Sequence, residues 1–365
     1  MKDEFHALEV DSIRRETRDA ISVGLAIPPT LRAAFRYAPG QHIGVRAVID
    51  GEEIRRTYSI SGERGDPRLW ITIKRLPGGV FSSWAHATLK PGMLLDCMQP
   101  AGRFVLPPAT ASRSEPARLY AIAAGSGITP VAGLVETWLA RHLENRATLI
   151  FGNRSIDDIV FRERLEGLKN RNLQRLQIHH VLSADAESDV PQLSGRIDAV
   201  KIEGLTRDAR PADGDMALVC GPDTLIKTAR DALLSLGLPR EAIRHEFFRA
   251  GPVSSARPKP TTPPSETPPT AAKTAVVTAI HDGTRRTFPV APGEHVIDAA
   301  LAAGVKLPYS CKGGMCCTCR ARLVEGNVVM DRNFSLEAWE MEAGFVLTCQ
   351  ARPTTDQVVL DYDKV

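Results

Sequence analysis

The segment from residue 251 to residue 273, GPVSSARPKPTTPPSETPPTAAK, limits how this chain can fold more than any other stretch. It contains seven prolines and no aromatic residue, leucine, isoleucine or methionine. Such a segment cannot contribute to a hydrophobic core, and its prolines favour an extended, partly polyproline conformation. We therefore predict a Pro-rich linker over 251–273, which divides the 365 residues into a body, 1–250, and a tail, 274–365.

The body itself predicts two domains. Over residues 1–112, short strand-like runs such as HIGVRAVI and LWITIKRL are separated by turn signals, among them Asp50-Gly51, which indicates an antiparallel β-barrel. Over residues 113–250, apolar strands such as RLYAIAA, ATLIFGN and MALVCG alternate with helix-length segments. This alternation is typical of an α/β domain, in which helices cover a parallel sheet.

Composition and charge exclude several function classes. The net charge is only +3, and no basic run is interleaved with aromatic residues, so we predict no nucleic-acid partner. The N-terminus lacks the pattern of a signal peptide. The uncharged run at 119–135 is short and is interrupted by Gly125, Gly127 and Pro130, so it predicts a buried strand and loop and not a membrane span. We expect a cytoplasmic protein without a membrane partner.

Five of the seven cysteines lie in the tail. Cys311, Cys316 and Cys319 have the spacing C-x4-C-x2-C, and Cys349 follows at a distance, which is the spacing of plant-type [2Fe–2S] ferredoxins. Cys317 falls outside this spacing and receives no ligand role. A structural zinc site is the alternative, although such sites usually pair two short knuckles, and a remote Cys349 does not supply the second. The tail is therefore predicted to be an α+β, β-grasp-like ferredoxin domain.

The barrel segment carries two motifs that resemble the ferredoxin–NADP⁺ reductase superfamily, RTYS at 56–59 and GVFS at 79–82. The resemblance implies that both motifs bind FAD. The arginine would contact the flavin phosphates, the tyrosine would pack along the flavin, the serine would lie beside the reactive ring nitrogen, and the helix start after Gly79 would face the diphosphate. An ordinary half-buried strand is the alternative for RTYS, and a solvated lysine for Lys74. The implied flavin-binding residues are Arg56, Thr57, Tyr58, Ser59, Lys74, Gly79, Val80, Phe81 and Ser82.

The α/β segment matches the same superfamily in its glycine-rich loop, GSGITP, and in LVCGPDT. A loop between the first strand and helix of a parallel sheet is where a nucleotide would bind. Arg154 and Ser155 stand where an acidic residue would favour NAD, and they suit the 2′-phosphate of NADPH. Catalytic roles are implied for Ser59, Cys220 and Glu246, although Cys220 could also be a small buried strand residue and Arg154 a solvated one. The implied coenzyme-binding residues are Gly125, Gly127, Thr129, Pro130, Arg154, Ser155, Cys220, Gly221 and Pro222.

Over nearly its whole length the chain resembles the reductase subunits of bacterial phenylacetyl-CoA epoxidases, in segments such as GQHIGVRAVIDGEEIRRTYSI and CKGGMCCTC. The resemblance implies an oxidoreductase that passes electrons from NADPH through FAD and a [2Fe–2S] cluster to a protein acceptor, a di-iron oxygenase. A reductase for another acceptor and a non-catalytic redox sensor remain as alternatives.

Overall fold

The computed structural model describes residues 4–108, 116–184, 193–206, 211–212, 214–248, 274–336 and 338–364. The chain forms two compact units, Phe5–Gly251 and a second unit that groups Met1–Glu4 with Pro252–Val365. The predicted linker and the predicted boundary between residues 112 and 113 lie outside the described residues, so those limits stay predictions. Within the described ranges, no helix is long and apolar enough to span a membrane.

The first part of the larger unit is a six-stranded antiparallel sheet in the order β4-β3-β6-β1-β2-β5. A bridge between Ile60 and Ile71, next to a 2.8 Å hydrogen bond from Ser61 N to Trp70 O, joins the end of β4 to β5 and closes the sheet into a barrel. The elements are β1 (His6–Thr17), β2 (Ala20–Ala26), β3 (His42–Ile49), β4 (Glu52–Ser59), β5 (Leu69–Lys74), α1 (Val80–Thr88) and β6 (Leu94–Cys97).

The second part of this unit is a five-stranded parallel sheet in the order β11-β10-β7-β8-β9. Side chains of α2 and α3 pack in one apolar core and those of α4 and α5 in another, as expected when helices cover both faces of a parallel sheet. The elements are β7 (Arg118–Ala124), α2 (Ile128–Arg141), β8 (Arg146–Asn153), α3 (Arg162–Arg171), β9 (Leu176–Leu182), α4 (Ala199–Thr206), β10 (Met216–Gly221), α5 (Asp223–Ser235) and β11 (Ile243–Phe247).

A buried ion pair fastens the barrel to the parallel sheet. The Arg164 guanidinium on α3 bonds both carboxylate oxygens of Glu136 on α2, at 2.8 and 3.0 Å. The same guanidinium donates to the carbonyl oxygens of Ser61, at 2.6 Å, and Gly62, at 3.2 Å, directly after the flavin-motif strand β4. Both charged side chains are at most 10% exposed. The carboxyl ends of the parallel strands are thereby held against the end of β4.

The smaller unit has a five-stranded sheet in the order β13-β12-β18-β14-β16 and a two-stranded sheet, β15-β17. β12 and β13 form the hairpin predicted at Asp282-Gly283, whose positive φ angles of +50° and +67° suit a two-residue type I′ turn. β12 pairs with β18 in parallel, which completes a β-grasp arrangement. The elements are β12 (Ala275–His281), β13 (Thr284–Val290), α6 (Val296–Ala302), β14 (Arg320–Glu325), β15 (Val328–Met330), α7 (Ala338–Glu342), β16 (Phe345–Leu347), β17 (Ala351–Pro353) and β18 (Gln357–Asp361).

The predicted fold class is confirmed: an antiparallel barrel, a parallel α/β sheet and a C-terminal α+β domain follow one another along the chain. The sequence patterns did not predict α4 or β11. α4 has two buried residues, Ile202 and Thr206. Because this buried face is so short, its sequence shows little helical periodicity. β11 is an edge strand with one buried side chain, Ile243, so its alternation is equally weak.

Candidate active site

The RTYS motif occupies the last half of β4, where it pairs with β3. Ser59 is 4% exposed, and its cross-strand partner in the sheet is His42. The Tyr58 ring lies 5.8 Å from the ring of Phe81, and burial raises the pKa of Tyr58, so its phenol stays protonated and can donate a hydrogen bond. The Arg56 guanidinium donates to the carbonyl oxygen of its neighbour Arg55, at 2.7 Å.

The GVFS motif forms the start of α1, and Gly79 precedes its first residue. The Ser82 hydroxyl accepts from Leu76 N and donates to Gly79 O, each at 3.2 Å, so this side chain shapes the loop. Phe81 is buried in the barrel core. Among the described residues, no side chain caps α1, so the N–H groups of its first turn are available to a diphosphate.

The glycine-rich loop packs directly against the end of β10. Gly125 has a φ of +52°, and a Cβ atom on Gly127 would lie 2.3 Å from the carbonyl oxygen of Cys220, so only glycine fits there. The Thr129 hydroxyl donates to Ser126 O, at 2.9 Å, and Pro130 is buried in the first turn of α2. The loop and the Cys220–Pro222 segment therefore form one continuous surface.

His42 lies between the predicted catalytic residues of the two domains. It is the sheet partner of Ser59 in the barrel and lies close to Glu246, the sheet neighbour of Cys220. Glu246 is the parallel neighbour of Cys220 in the sheet. Glu246 Oε1 lies 3.7 Å from His42 Nδ1, and His42 is paired with Ser59. Burial, together with the Glu246 carboxylate, raises the pKa of the Cys220 thiol well above its usual range, so this group is a neutral thiol. The barrel and the parallel sheet thus bring these groups together from distant parts of the sequence.

The sequence patterns assigned no role to His42, although it ends the PGQH segment that precedes the flavin motif. They also missed Asn153, the last residue of β8, whose side chain is buried and has no hydrogen-bond partner among the described residues. Nothing in its residue type or spacing distinguishes this asparagine from a structural one. Only the folded structure shows that its buried amide is able to bond a ligand.

The groups around β4, α1 and β11 fit a flavin. Glu246 Oε2 is buried and has no hydrogen-bond partner within the described residues. This oxygen, next to Cys220, can therefore accept a hydrogen bond from a bound molecule. The start of α1 suits a diphosphate, and the partly exposed Tyr58 ring, which packs against the buried Phe81, suits the wall of a ring site. Lys74 is held by Asp19, at 3.6 Å.

Arg154 and Ser155 follow β8 and line a cavity of about 470 Å³ together with Arg18, Asp157 and Asp158. The Ser155 hydroxyl donates to the Asp158 carboxylate, at 2.8 Å. The Arg154 side chain is exposed, and no hydrogen bond or ion pair engages it within the described residues. This guanidinium is therefore available to an anionic ligand.

In the smaller unit, the four predicted ligand cysteines lie together as two pairs. A hydrogen bond from Cys316 lowers the pKa of Cys311 to about 7, and a hydrogen bond from Cys319 lowers the pKa of Cys349. Gly313 N donates to Cys311 Sγ, at 3.3 Å. Among the described residues, no three His, Cys, Asp or Glu side chains meet around a point for a single ion. Two thiolate pairs fit the two irons of a [2Fe–2S] cluster.

Cys317, the fifth cysteine of this unit, has a different local setting. It has a φ of +55° and its side chain packs against the apolar core of the smaller unit. Gly314, in the same loop, has a φ of +76°, and a Cβ there would lie 3.0 Å from the carbonyl oxygen of Arg332. The loop therefore passes close to the backbone of Arg332, and the Cys317 side chain packs against the apolar core.

This fold and these sites define a class, the reductases that join a flavin barrel and a nucleotide domain to a ferredoxin domain. Family models match in the same order: the oxidoreductase FAD-binding domain at residues 7–106, the oxidoreductase NAD-binding domain at 121–231 and the 2Fe-2S iron-sulfur cluster binding domain at 279–354. The phthalate dioxygenase reductase structure has the same fold, with a TM-score of 0.59, 21% identity and 98% coverage of both chains.

Two curated relatives cover almost the whole chain. A subunit of the 1,2-phenylacetyl-CoA epoxidase of Escherichia coli is 39% identical, over 98% of this chain and 98% of the relative. The ferredoxin reductase component of 3-ketosteroid-9-alpha-monooxygenase from Rhodococcus rhodochrous is 30% identical, over 97% of this chain and 96% of the relative. The chain belongs to the family of oxygenase reductase components that includes these two relatives. It is an NAD(P)H-dependent oxidoreductase that uses FAD and a [2Fe–2S] cluster, which confirms the predicted function class and cofactors.

Proposed function

We propose that the chain takes electrons from NADPH and delivers them to a di-iron oxygenase component that epoxidises the aromatic ring of phenylacetyl-CoA. The observation that carries this proposal is the full-length similarity to a phenylacetyl-CoA epoxidase component, a similarity that runs through all three domains. The chemistry that the bound cofactors supply is hydride acceptance from NADPH and one-electron transfer through the cluster.

The residues at the carboxyl ends of the parallel strands prepare the hydride step. Gly127 lets the loop approach the Cys220 backbone closely, so the loop would hold a nicotinamide near the end of β10. The neutral Cys220 thiol would add no charge there. Glu246 would supply a buried acceptor oxygen to a bound ring, and Ser59 a small hydroxyl from the barrel side.

The coenzyme preference is assigned to Arg154. Its exposed guanidinium follows β8, where a 2′-phosphate would be bound, and no ion pair engages it among the described residues. Charge-assisted hydrogen bonds to a phosphate favour NADPH over NADH. Ser155 contributes indirectly, since its hydroxyl is directed to Asp158.

Reconstitution with candidate oxygenases tests the proposed acceptor. The purified full chain, NADPH and the phenylacetyl-CoA epoxidase oxygenase component should form the epoxide with matching NADPH consumption. The variant Cys349→Ser should lose this coupled reaction while it still reduces ferricyanide. Efficient turnover with a 3-ketosteroid oxygenase, and none with the epoxidase component, would assign another acceptor. Absence of NADPH-driven reduction of any added acceptor would favour a redox sensor. Cell fractionation checks the cytoplasmic location, which stays a prediction.

A further inference from the structure

Two arginines of the barrel lie at the edge of the cavity that contains Arg154. Arg18 is in the turn between β1 and β2, and Arg75 follows β5. The cavity of about 470 Å³ is lined by Arg18 and Arg154, and an adjoining cavity of about 580 Å³ is lined by both of these and by Arg75. Three arginines from three separate segments therefore line two adjoining cavities that share Arg18 and Arg154.

The two barrel segments are held in place by their backbones and not through these guanidinium groups. Arg75 N donates to Asp19 O, at 2.6 Å, and the Arg15 guanidinium donates to Arg18 O, at 3.2 Å. The side chains of Arg18 and Arg75, like that of Arg154, have no hydrogen bond or ion pair with the described part of the chain. Backbone hydrogen bonds therefore fix both segments, while the positive charges of these arginines have no ion-pair partner among the described residues.

Three carboxylates also line the two cavities, and two of them are occupied. Asp19 accepts from the Thr17 hydroxyl, at 2.8 Å, and is paired with Lys74, at 3.6 Å. Asp158 accepts from the Ser155 hydroxyl, at 2.8 Å. Asp157, the third carboxylate, is exposed, and its side chain has no hydrogen bond or ion pair among the described residues. The arginines therefore retain the greater capacity for new hydrogen bonds, and that capacity suits a phosphate group.

We propose that Arg18 and Arg75 complete, with Arg154, a three-arginine site for the 2′-phosphate of NADPH. This inference rests on the proposed role of Arg154. It adds that coenzyme choice is shared by the barrel, so that the adenosine end of NADPH is held between the two domains of the larger unit. The same chemistry would also suit the diphosphate of FAD, and the experiment separates these two phosphate sources.

The test uses the full-length holoprotein and four single variants, Arg18→Ala, Arg75→Ala, Arg154→Ala and the control Arg240→Ala. Arg240 is exposed and precedes β11, at the opposite edge of the parallel sheet. We measure KM for NADPH and NADH, inhibition by 2′,5′-ADP and by 5′-AMP, and bound FAD per chain. Each cavity variant should raise KM for NADPH and the inhibition constant of 2′,5′-ADP by about fivefold or more. NADH, 5′-AMP and FAD content should change by less than about twofold, as in the control.

The possible outcomes separate the inference from the proposed function. If Arg154→Ala alone weakens NADPH and 2′,5′-ADP, the barrel arginines have no role and the inference is overturned, while the proposed coenzyme choice stands. If Arg18→Ala or Arg75→Ala lowers FAD content and leaves 2′,5′-ADP inhibition unchanged, the phosphate belongs to FAD and the inference is overturned. If the wild-type protein does not prefer NADPH, the proposed coenzyme choice fails first and the three-arginine site fails with it.

Discussion

At the residue scale, we predict different roles for the two adjacent cysteines, Cys316 as a cluster ligand and Cys317 as a packing residue. Cys316 is paired with Cys311, whereas Cys317 has a positive φ and packs against the apolar core. The C-x4-C-x2-C spacing predicts this division, because ligation through Cys317 would break the C-x2-C step. The geometry of the loop supplies the physical reason for the same assignment.

Cys317→Ser is therefore expected to retain the visible absorption and the electron paramagnetic resonance signal of the reduced [2Fe–2S] centre. The matched variant Cys316→Ser, one residue away, should lose or alter both signals, because it removes a thiolate ligand. Iron content and the two spectra of the purified variants give the measurement. A cluster lost from Cys317→Ser and kept in Cys316→Ser would reverse the assignment.

Residue types and spacing predict candidate cluster ligands, loop glycines and a thiol at the end of β10, because each belongs to a local motif. They could not predict the His42–Glu246 contact or the approach of Arg18 and Arg75 to Arg154. Those arrangements depend on how β1, β3 and β5 of the barrel lie against strands of another domain. A single histidine or surface arginine carries no sequence signal of such long-range contacts.

At the scale of elements, the start of α6 carries a small charge network. His295, which precedes α6, lies 3.6 Å from Asp298 and 2.9 Å from Asp331. Hydrogen bonds to Asp298 and Asp331 raise the pKa of His295. The hydrogen bond from His295, with a further one from Lys312, lowers the pKa of Asp298 to about 2. These shifts connect the stability of the smaller unit to pH.

The stability that His295 contributes should be greatest at mildly acidic pH. A histidine whose pKa is higher in the folded state stabilises fully below its unfolded pKa, near 6.5, and this contribution is lost as pH rises through the folded pKa. The contribution of Asp298 is present above its unfolded pKa of 3.8 and is lost as pH falls towards about 2. Thermal unfolding of the wild type and of His295→Gln from about pH 5 to about pH 9, followed by the cluster absorption, measures the difference. A Tm difference that does not shrink above neutral pH would contradict the network.

Helix α3 offers a direct comparison between a buried and an exposed ion pair. Arg164→Leu leaves Glu136 buried without its partner and should destabilise the larger unit by about 3 kcal/mol or more. Arg162→Leu, on the same helix, breaks the pair with Glu166, in which both side chains are more than half exposed, and should cost about 0.5 kcal/mol or less. Thermal or urea unfolding followed by flavin fluorescence provides both values. Similar values for the two variants would show that Arg164 does not fasten the domains.

Arg164→Leu should also affect function, since its guanidinium bonds the carbonyls that follow the flavin-motif strand. We expect kcat to fall and KM for NADPH to rise, because the ring surfaces and the arginine cavity both include residues of the two domains that Arg164 joins. Glu136→Gln serves as the companion variant, since it keeps the size of the side chain and removes the charge partner. A fall in kcat with an unchanged KM for NADPH would point to a general loss of folded protein, because unfolded molecules lower kcat without changing KM.

At the scale of the whole molecule, the chain is an electron-transfer path made of two compact units, Phe5–Gly251 and the unit that contains Pro252–Val365. Each unit has its own apolar core, with Leu8, Val10 and Val23 among the buried residues of the barrel and Val277, Val346 and Leu360 among those of the ferredoxin sheet. Separate cores allow independent folding. The unit boundary lies close to the linker that the proline content predicts.

A fragment of residues 1–250 is expected to fold, bind FAD and reduce ferricyanide with NADPH. It should reduce cytochrome c poorly, because that acceptor takes its electrons through the cluster that the fragment lacks. The rates with both acceptors, compared with those of the full chain, give the measurement. An insoluble or flavin-free fragment beside a well-behaved full chain would count against the predicted boundary.

The central position of β18 in the ferredoxin sheet has a consequence for biosynthesis. β18 lies between β12 and β14, and the ribosome makes it after every other strand of that sheet. Until it is made, β12 and β13 on one side and β14 and β16 on the other have no strand to join them. The three predicted ligand cysteines of the loop are made before β18, but the sheet that holds them is completed only with β18, and such long-range pairing is slow. We therefore expect iron and sulfide insertion to follow synthesis of β18, and in the interval the nascent domain exposes unpaired strand edges that a chaperone could protect.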